Sequence, residues 1–130
     1  MTTIITFGTF DLLHIGHINI LEKSRKLGDR LIVGVSTDKF SYQKKQRYPV
    51  YSELERTKII ESLKFVDTVF FEESLEQKRD YIIKYKADIL VMGMDWKDKF
   101  DEFNDICQVV YLERTPSVST TQLIEIIQNK

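Results

Sequence analysis

Five short apolar runs separated by capped helical patterns leave this chain few folds to adopt. Residues 4–7, 31–36, 66–71, 89–92 and 109–112 are rich in β-branched and aromatic side chains and do not alternate with polar ones. A strand apolar on both sides is covered on both sides, which is the setting of a parallel sheet. A first helix is predicted from Gly16 to near Gly28, a residue suited to the left-handed turn after a helix. Ser52 with Glu55, Ser74 with Gln77, and Ser119 with Gln122 have capping-box spacing. Ile59, Ile60 and Leu63, and then Leu123, Ile126 and Ile127, form apolar stripes after two of these caps. A weaker helix is predicted over residues 99–104. Alternation of this kind requires right-handed crossovers, so the expected fold is a Rossmann-like, three-layer α/β/α domain with a five-stranded, mainly parallel sheet.

The 130 residues form one domain, 1–130, and no linker or repeat divides them. A net charge of −1 supplies no general attraction for nucleic acid, so an anionic ligand must be held by local groups. The six tyrosines and eight phenylalanines read as core and interface material and not as a stacking platform for nucleic acid. Cys107 is the lone cysteine, no signal peptide precedes the first strand, and no apolar run is long enough to insert in a membrane. These features predict a reduced, cytoplasmic protein.

Ligands on open α/β sheets sit beyond the carboxyl ends of the strands. The segments to search are therefore residues 8–17, 37–51, 93–97 and 114–120. The first runs from strand to helix as Gly8-Thr9-Phe10-Asp11-Leu12-Leu13-His14-Ile15-Gly16-His17. A helix start presents unpaired N–H groups and a positive dipole end, which attract phosphate. His14 and His17, the only histidines, share one face of the first turn, and Gly16 leaves no side chain to block a ligand. Two imidazoles aimed at one place can donate to phosphate oxygens as charge develops there. A helical zinc site would space its histidines by four and need further ligands, which are absent from this stretch.

The last segment, Arg114-Thr115-Pro116-Ser117-Val118-Ser119-Thr120-Thr121, leaves a strand and enters a helix. Arg114 brings a planar fork for phosphate oxygens, and Thr115, Ser119, Thr120 and Thr121 add hydroxyls and N–H groups. Alone this is a capped helix. Beside the histidine loop, on one sheet edge, it is the second half of a triphosphate site.

These two segments resemble the HxGH and RTEGISTT signatures of the small cytidylyltransferases in the nucleotidyltransferase superfamily. The similarity runs over almost the whole chain, including Ser36-Thr37-Asp38, Val66-Asp67, Glu76-Gln77-Lys78, Val91-Met92-Gly93 and Asp95-Trp96. The superfamily shares its fold with class I aminoacyl-tRNA synthetases, but this chain has no room for a tRNA-recognising region. The resemblance implies transfer of CMP from CTP to a small phosphorylated alcohol, glycerol 3-phosphate first among the acceptors, for a teichoic-acid or capsule-type polymer. Phosphoethanolamine, phosphocholine or another capsule precursor are alternatives, as is a non-catalytic nucleotide-binding module.

On that resemblance His14, His17 and Arg114 serve the phosphate chain, and Thr9, Phe10, Gly16, Asp95 and Trp96 the nucleotide. Trp96 either stacks near the cytidine or closes the core. Asp11 is the carboxylate for Mg²⁺ and phosphates, or orients the loop. Lys44 matches a lysine that contacts the acceptor phosphate and Lys78 another substrate contact, while Lys45, Arg47 and Arg56 are further candidates, Arg56 with a surface salt bridge as its alternative. Lys64 stands where the family has a nucleotide-touching arginine, and Pro116-Ser117 replace a Glu-Gly pair. A homodimer is implied by the family.

Overall fold

The computed structural model describes residues 1–113 and 120–129, the side chains of 120–123 excepted. Strands β1 (Thr3–Gly8), β2 (Arg30–Ser36), β3 (Thr68–Glu72), β4 (Ile89–Gly93) and β5 (Gln108–Leu112) form one sheet in the order β3-β2-β1-β4-β5. Each pairing is parallel, so the sheet is parallel throughout. The helices are α1 (Ile15–Arg25), α2 (Asp38–Lys45), α3 (Glu53–Glu61), α4 (Lys78–Lys84) and α5 (Thr120–Gln128). Among the described residues no helix is long and apolar enough to cross a membrane.

Successive side chains of a strand point to opposite faces, and the central strand divides the core accordingly. Ile4 joins Leu21 of α1, Leu31, Val33, Val35 and Val91 of the sheet, and Ile60 of α3 on one face. Ile5 and Phe7 join Ile32, Leu90 and Met92 with Ile82 of α4, Phe100 and Phe103 on the other. Each such burial contributes about 1.5–3 kcal/mol. Gly34 makes the second layer possible. A Cβ there would lie 2.6 Å from Phe7 Cδ1 and 2.7 Å from Phe70 Cζ, whose rings meet edge to face at 5.8 Å.

Four local expectations are corrected. Residues 37–51, expected as a connection at the ligand edge, contain the helix α2, capped by Thr37, whose side chain accepts from Phe40 N–H. Gly28 does not adopt a left-handed turn, since no described glycine has positive φ. It is small because Thr2 carbonyl oxygen would stand 2.7 Å from any Cβ. The helix expected over residues 99–104 is a 3₁₀ turn, Asp101–Asp105, preceded by another at Met94–Trp96. The strand expected at residues 66–71 begins at Thr68, because the Asp67 carboxylate turns to accept from Leu31 N–H and Arg25 Nε.

The strand order reverses at β1. From β1 the chain steps to β2 and β3 on one side, then β4 and β5 take the other. The cleft beyond the carboxyl ends of β1 and β4 is therefore the place where a ligand finds exposed strand ends and loops.

Candidate active site

A cavity of about 260 Å³ occupies that cleft, lined by Phe7, Gly8, Thr9, Phe10, Asp11, His17, Lys44, Lys45, Met92 and Trp96. It is slightly smaller than typical small-ligand pockets of roughly 300–1,000 Å³. Its floor is the end of β1, one wall is the start of α1, a second is the last turn of α2, and a third is the turn after β4.

The two imidazoles start α1 themselves. His14 is the N-cap, and its Nδ1 accepts from Gly16 N–H at 3.0 Å. His17 Nδ1 accepts from His14 N–H at 3.2 Å, completing a reciprocal cap of the kind usually built from serine and glutamate. A nitrogen that accepts cannot carry the proton, so both rings hold it on Nε2, on the far side from the backbone. The rings stack with centroids 3.9 Å apart, and the Phe10 ring meets His17 edge to face. Burial, then the neighbouring charges of His14 and Lys45, push the His17 pKa down to about 4. Burial also lowers that of His14. At neutral pH both imidazoles are therefore neutral, each with an Nε2–H donor; His17 lines the cavity and His14 stacks beside it.

The loop before them is held at both ends. Phe10 takes a left-handed backbone (φ 55°), uncommon for an aromatic residue, and its ring fills the space a Gly8 side chain would need, 3.0 Å away. Both oxygens of the Asp11 carboxylate accept backbone N–H groups, from Val50 at 2.7 Å and Tyr51 at 3.0 Å. Asp11 thus orients the loop against the entrance of α3, the second of its two expected roles, while still lining the cavity. Thr9 carbonyl oxygen is bound by Arg56, which is neither a phosphate ligand nor a surface salt bridge. Arg56 is fully buried and donates to the carbonyl oxygens of Thr9, Ser36 and Tyr51 and to Asp38 Oδ1. Three chain segments around the cleft are tied to one guanidinium.

Beneath the second wall lies a polar cluster. Lys44 donates to Ser36 Oγ at 2.9 Å, Ser36 Oγ donates to Glu72 Oε1 at 3.1 Å, and Lys78 donates to Glu72 Oε2 at 2.7 Å. Lys44 lines the cavity; Lys78 is 2% exposed, its ammonium 3.6 Å from the centre of the Phe7 ring. Burial outweighs the attraction of Glu72 and, with the positive neighbours Lys78, Lys45 and Arg56, holds the Lys44 pKa down to about 8. Trp96 packs against Phe100 and also lines the cavity. Asp95 is exposed in the turn beside it.

Of the remaining expected residues, Gly16 lies inside the first turn of α1. Lys64 falls between α3 and β3, at the amino-terminal edge of the sheet, opposite the imidazoles. Arg114, Thr115 and Ser119 lie outside the described residues, as do the side chains of Thr120 and Thr121. Ser36 and Glu72 were not foreseen as site residues. The signal for Glu72 was present, as the first of two glutamates that end an apolar run just before a predicted cap.

A doubly wound parallel sheet with neutral imidazole donors and a lysine around its switch-point cleft defines a nucleotide-handling α/β domain. The family model of cytidylyltransferase-like proteins matches residues 5–126, and the chain belongs to that family. It is 49% identical over 125 residues to a glycerol-3-phosphate cytidylyltransferase of Bacillus subtilis, covering 96% of each chain. A Staphylococcus aureus protein of the same name is 43% identical over 130 residues, covering 100% of this chain and 98% of its own. Among solved structures, a lipopolysaccharide core biosynthesis protein from Thermoplasma volcanium superimposes with a TM-score of 0.79 at 30% identity, covering 88% of this chain and 98% of its own.

Proposed function

We propose that this chain is a nucleotidyltransferase that joins CMP, taken from CTP, to glycerol 3-phosphate, releasing pyrophosphate and giving CDP-glycerol for a teichoic-acid type of polymer. The observation that carries the reading is the reciprocal imidazole cap at the edge of the switch-point cavity, in a chain whose near-full-length relatives bear that activity's name.

An acceptor phosphate, with its second pKa near 6, is already ionised at neutral pH and needs no protein nucleophile. One of its oxygens attacks the α-phosphorus of CTP, and the bond to the β-phosphate oxygen breaks. The protein's part is to align two anions and to stabilise charge on the departing pyrophosphate. The Nε2–H groups of His14 and His17 do this without adding a titratable cation, and Lys44 takes the acceptor phosphate. Arg114, Thr115, Ser119, Thr120 and Thr121 serve the nucleotide from the carboxyl-terminal segment, and Thr9, Phe10, Asp95 and Trp96 from the cleft.

A divalent ion fits this site as a passenger on the nucleotide. Among the described residues no cluster of three or more metal-ligating side chains exists, and Asp11, the one acid lining the cavity, already serves two backbone N–H groups. Mg²⁺ needs only one or two carboxylates beside phosphate oxygens. When bound it neutralises phosphate charge, and Asp11 is the residue to hold it. The working form is a homodimer in the cytoplasm, as the family resemblance implies, and Lys64, at the amino-terminal end of β3 in its own chain, is the residue to look for at the partner's nucleotide.

Pyrophosphate release with CTP and a panel of glycerol 3-phosphate, phosphoethanolamine and phosphocholine tests the proposal. Turnover confined to glycerol 3-phosphate is expected. Faster turnover with ATP than with CTP overturns the base assignment, and preference for another alcohol overturns the acceptor.

A further inference from the structure

Glu72 is 2% exposed at the end of β3, Ser36 fully buried at the end of β2, and Lys78 buried at the first position of α4. Together with Lys44 in the last turn of α2 they form an unbroken chain of three hydrogen bonds. Two ammonium groups share one carboxylate, so the cluster carries one positive charge more than it neutralises. Only Lys44 among its members lines the cavity.

The direction of each bond matters. Ser36 has a single hydroxyl proton, which it gives to Glu72, so toward Lys44 it is an acceptor. Lys44 is thereby held one hydroxyl away from a carboxylate. Lys78 occupies the other oxygen of Glu72 and is further steadied by the faces of Phe7 and Phe100, at 3.6 and 5.2 Å. With both oxygens engaged, Glu72 does not draw Lys44 into a direct pair that would cancel its charge. Yet it is close enough to support that charge against Lys78, Lys45 and Arg56, the cations that face Lys44 from α4, α2 and α3.

We infer that Glu72, Ser36 and Lys78 form a positioning relay, which keeps the Lys44 ammonium charged and turned toward the cavity to receive the acceptor's phosphate. This rests on the reading that Lys44 binds that phosphate. Lys78, buried and bonded to Glu72, acts on Lys44 through Glu72.

The relay predicts opposite effects from removing its two charged ends. E72Q withdraws the carboxylate that supports Lys44, so the alkaline limb of kcat/KM for glycerol 3-phosphate moves to lower pH and its KM at pH 7.5 rises about tenfold or more, a change of about 1.4 kcal/mol. K78M frees Glu72 to pair with Lys44 and removes a repelling cation, so the limb moves to higher pH. KM for CTP stays within about twofold in both. S36A leaves the Ser36 carbonyl and its bond to Arg56 in place and raises only the acceptor KM, which keeps the test available if E72Q fails to fold. Limbs that move in the same direction in E72Q and K78M, or an unchanged acceptor KM in S36A, overturn the relay. K44M separates this from the underlying reading. If K44M leaves the acceptor KM unchanged, Lys44 is not the phosphate group at all. If K44M raises it while S36A does not, the relay alone is wrong.

Discussion

Arg56→Lys keeps the charge at the centre of the site and removes its shape. The guanidinium spreads its donors over three carbonyl oxygens and a carboxylate, at 3.0, 2.8 and 2.8 Å to Tyr51, Thr9 and Ser36 and 2.6 Å to Asp38. A lysine carries its donors on one nitrogen and cannot span four acceptors spread over three segments, so at least two of these bonds are lost. A buried carbonyl left without a donor costs about 1–3 kcal/mol. The Asp38 pair adds less, because the Asp38 side chain is 35% exposed and its charge is screened by water. The expected loss is about 2–4 kcal/mol, within the 5–15 kcal/mol a domain of this size can have. With a urea slope of about 1–3 kcal/mol per molar, the unfolding midpoint should fall by roughly 1–2 M. Urea titrations followed by far-ultraviolet circular dichroism and by the fluorescence of Trp96, the only tryptophan, measure it. KM for CTP should rise as the Thr9 loop loses its anchor. A midpoint within about 0.3 M of the parent, with coincident curves from both probes, would refute the view of Arg56 as the clamp of the cleft.

His17→Ala should lower kcat by roughly 100-fold or more, the scale of one lost transition-state donor, and cost about 1 kcal/mol through the lost cap; unchanged turnover excludes the donor role. Acid should weaken the fold for a related reason. The folded pKa of His17 is depressed to about 4 from 6.5, so its contribution is complete above pH 6.5 and is lost as pH falls toward 4, an effect of about 3 kcal/mol. Comparing the pH dependence of stability in the parent and in His17→Ala checks this, and identical slopes between pH 6.5 and 4 contradict it. The kcat/KM for the acceptor should bend down above about pH 8 as Lys44 loses its proton, and below about 6 as the acceptor's own phosphate protonates. Ile60→Ala, in a fully buried position between α3 and the sheet, should cost about 2–5 kcal/mol with KM values unchanged.

The sheet was legible because parallel strands covered on both faces announce themselves as unbroken apolar runs, and all five lay within two residues of their expected ends. The helix α2 was not, because it lies at the sheet's edge and buries only Phe40 and Ser41, too little to print a helical stripe. Its one local signal was Thr37 followed by an acid, a cap that a reading tuned to basic residues passed over. The histidines were legible as a pair near a phosphate-binding turn, since spacing places them on one face. Their reciprocal capping was not, because it depends on ring orientation. Arg56 shows the same limit: an arginine on a predicted helix carries no mark that three chain segments converge on it.

The imidazole pair has one more consequence. The hydrogen bonds that begin α1 are the same ones that decide which ring nitrogen bears a proton, so folding this turn and preparing its phosphate donors are a single event. A substitution that offers another donor in place of either ring, such as glutamine, must also rebuild the helix's first turn. Mutational scans at these two positions will therefore record stability and turnover falling together, and only a rescue by added imidazole could pull them apart.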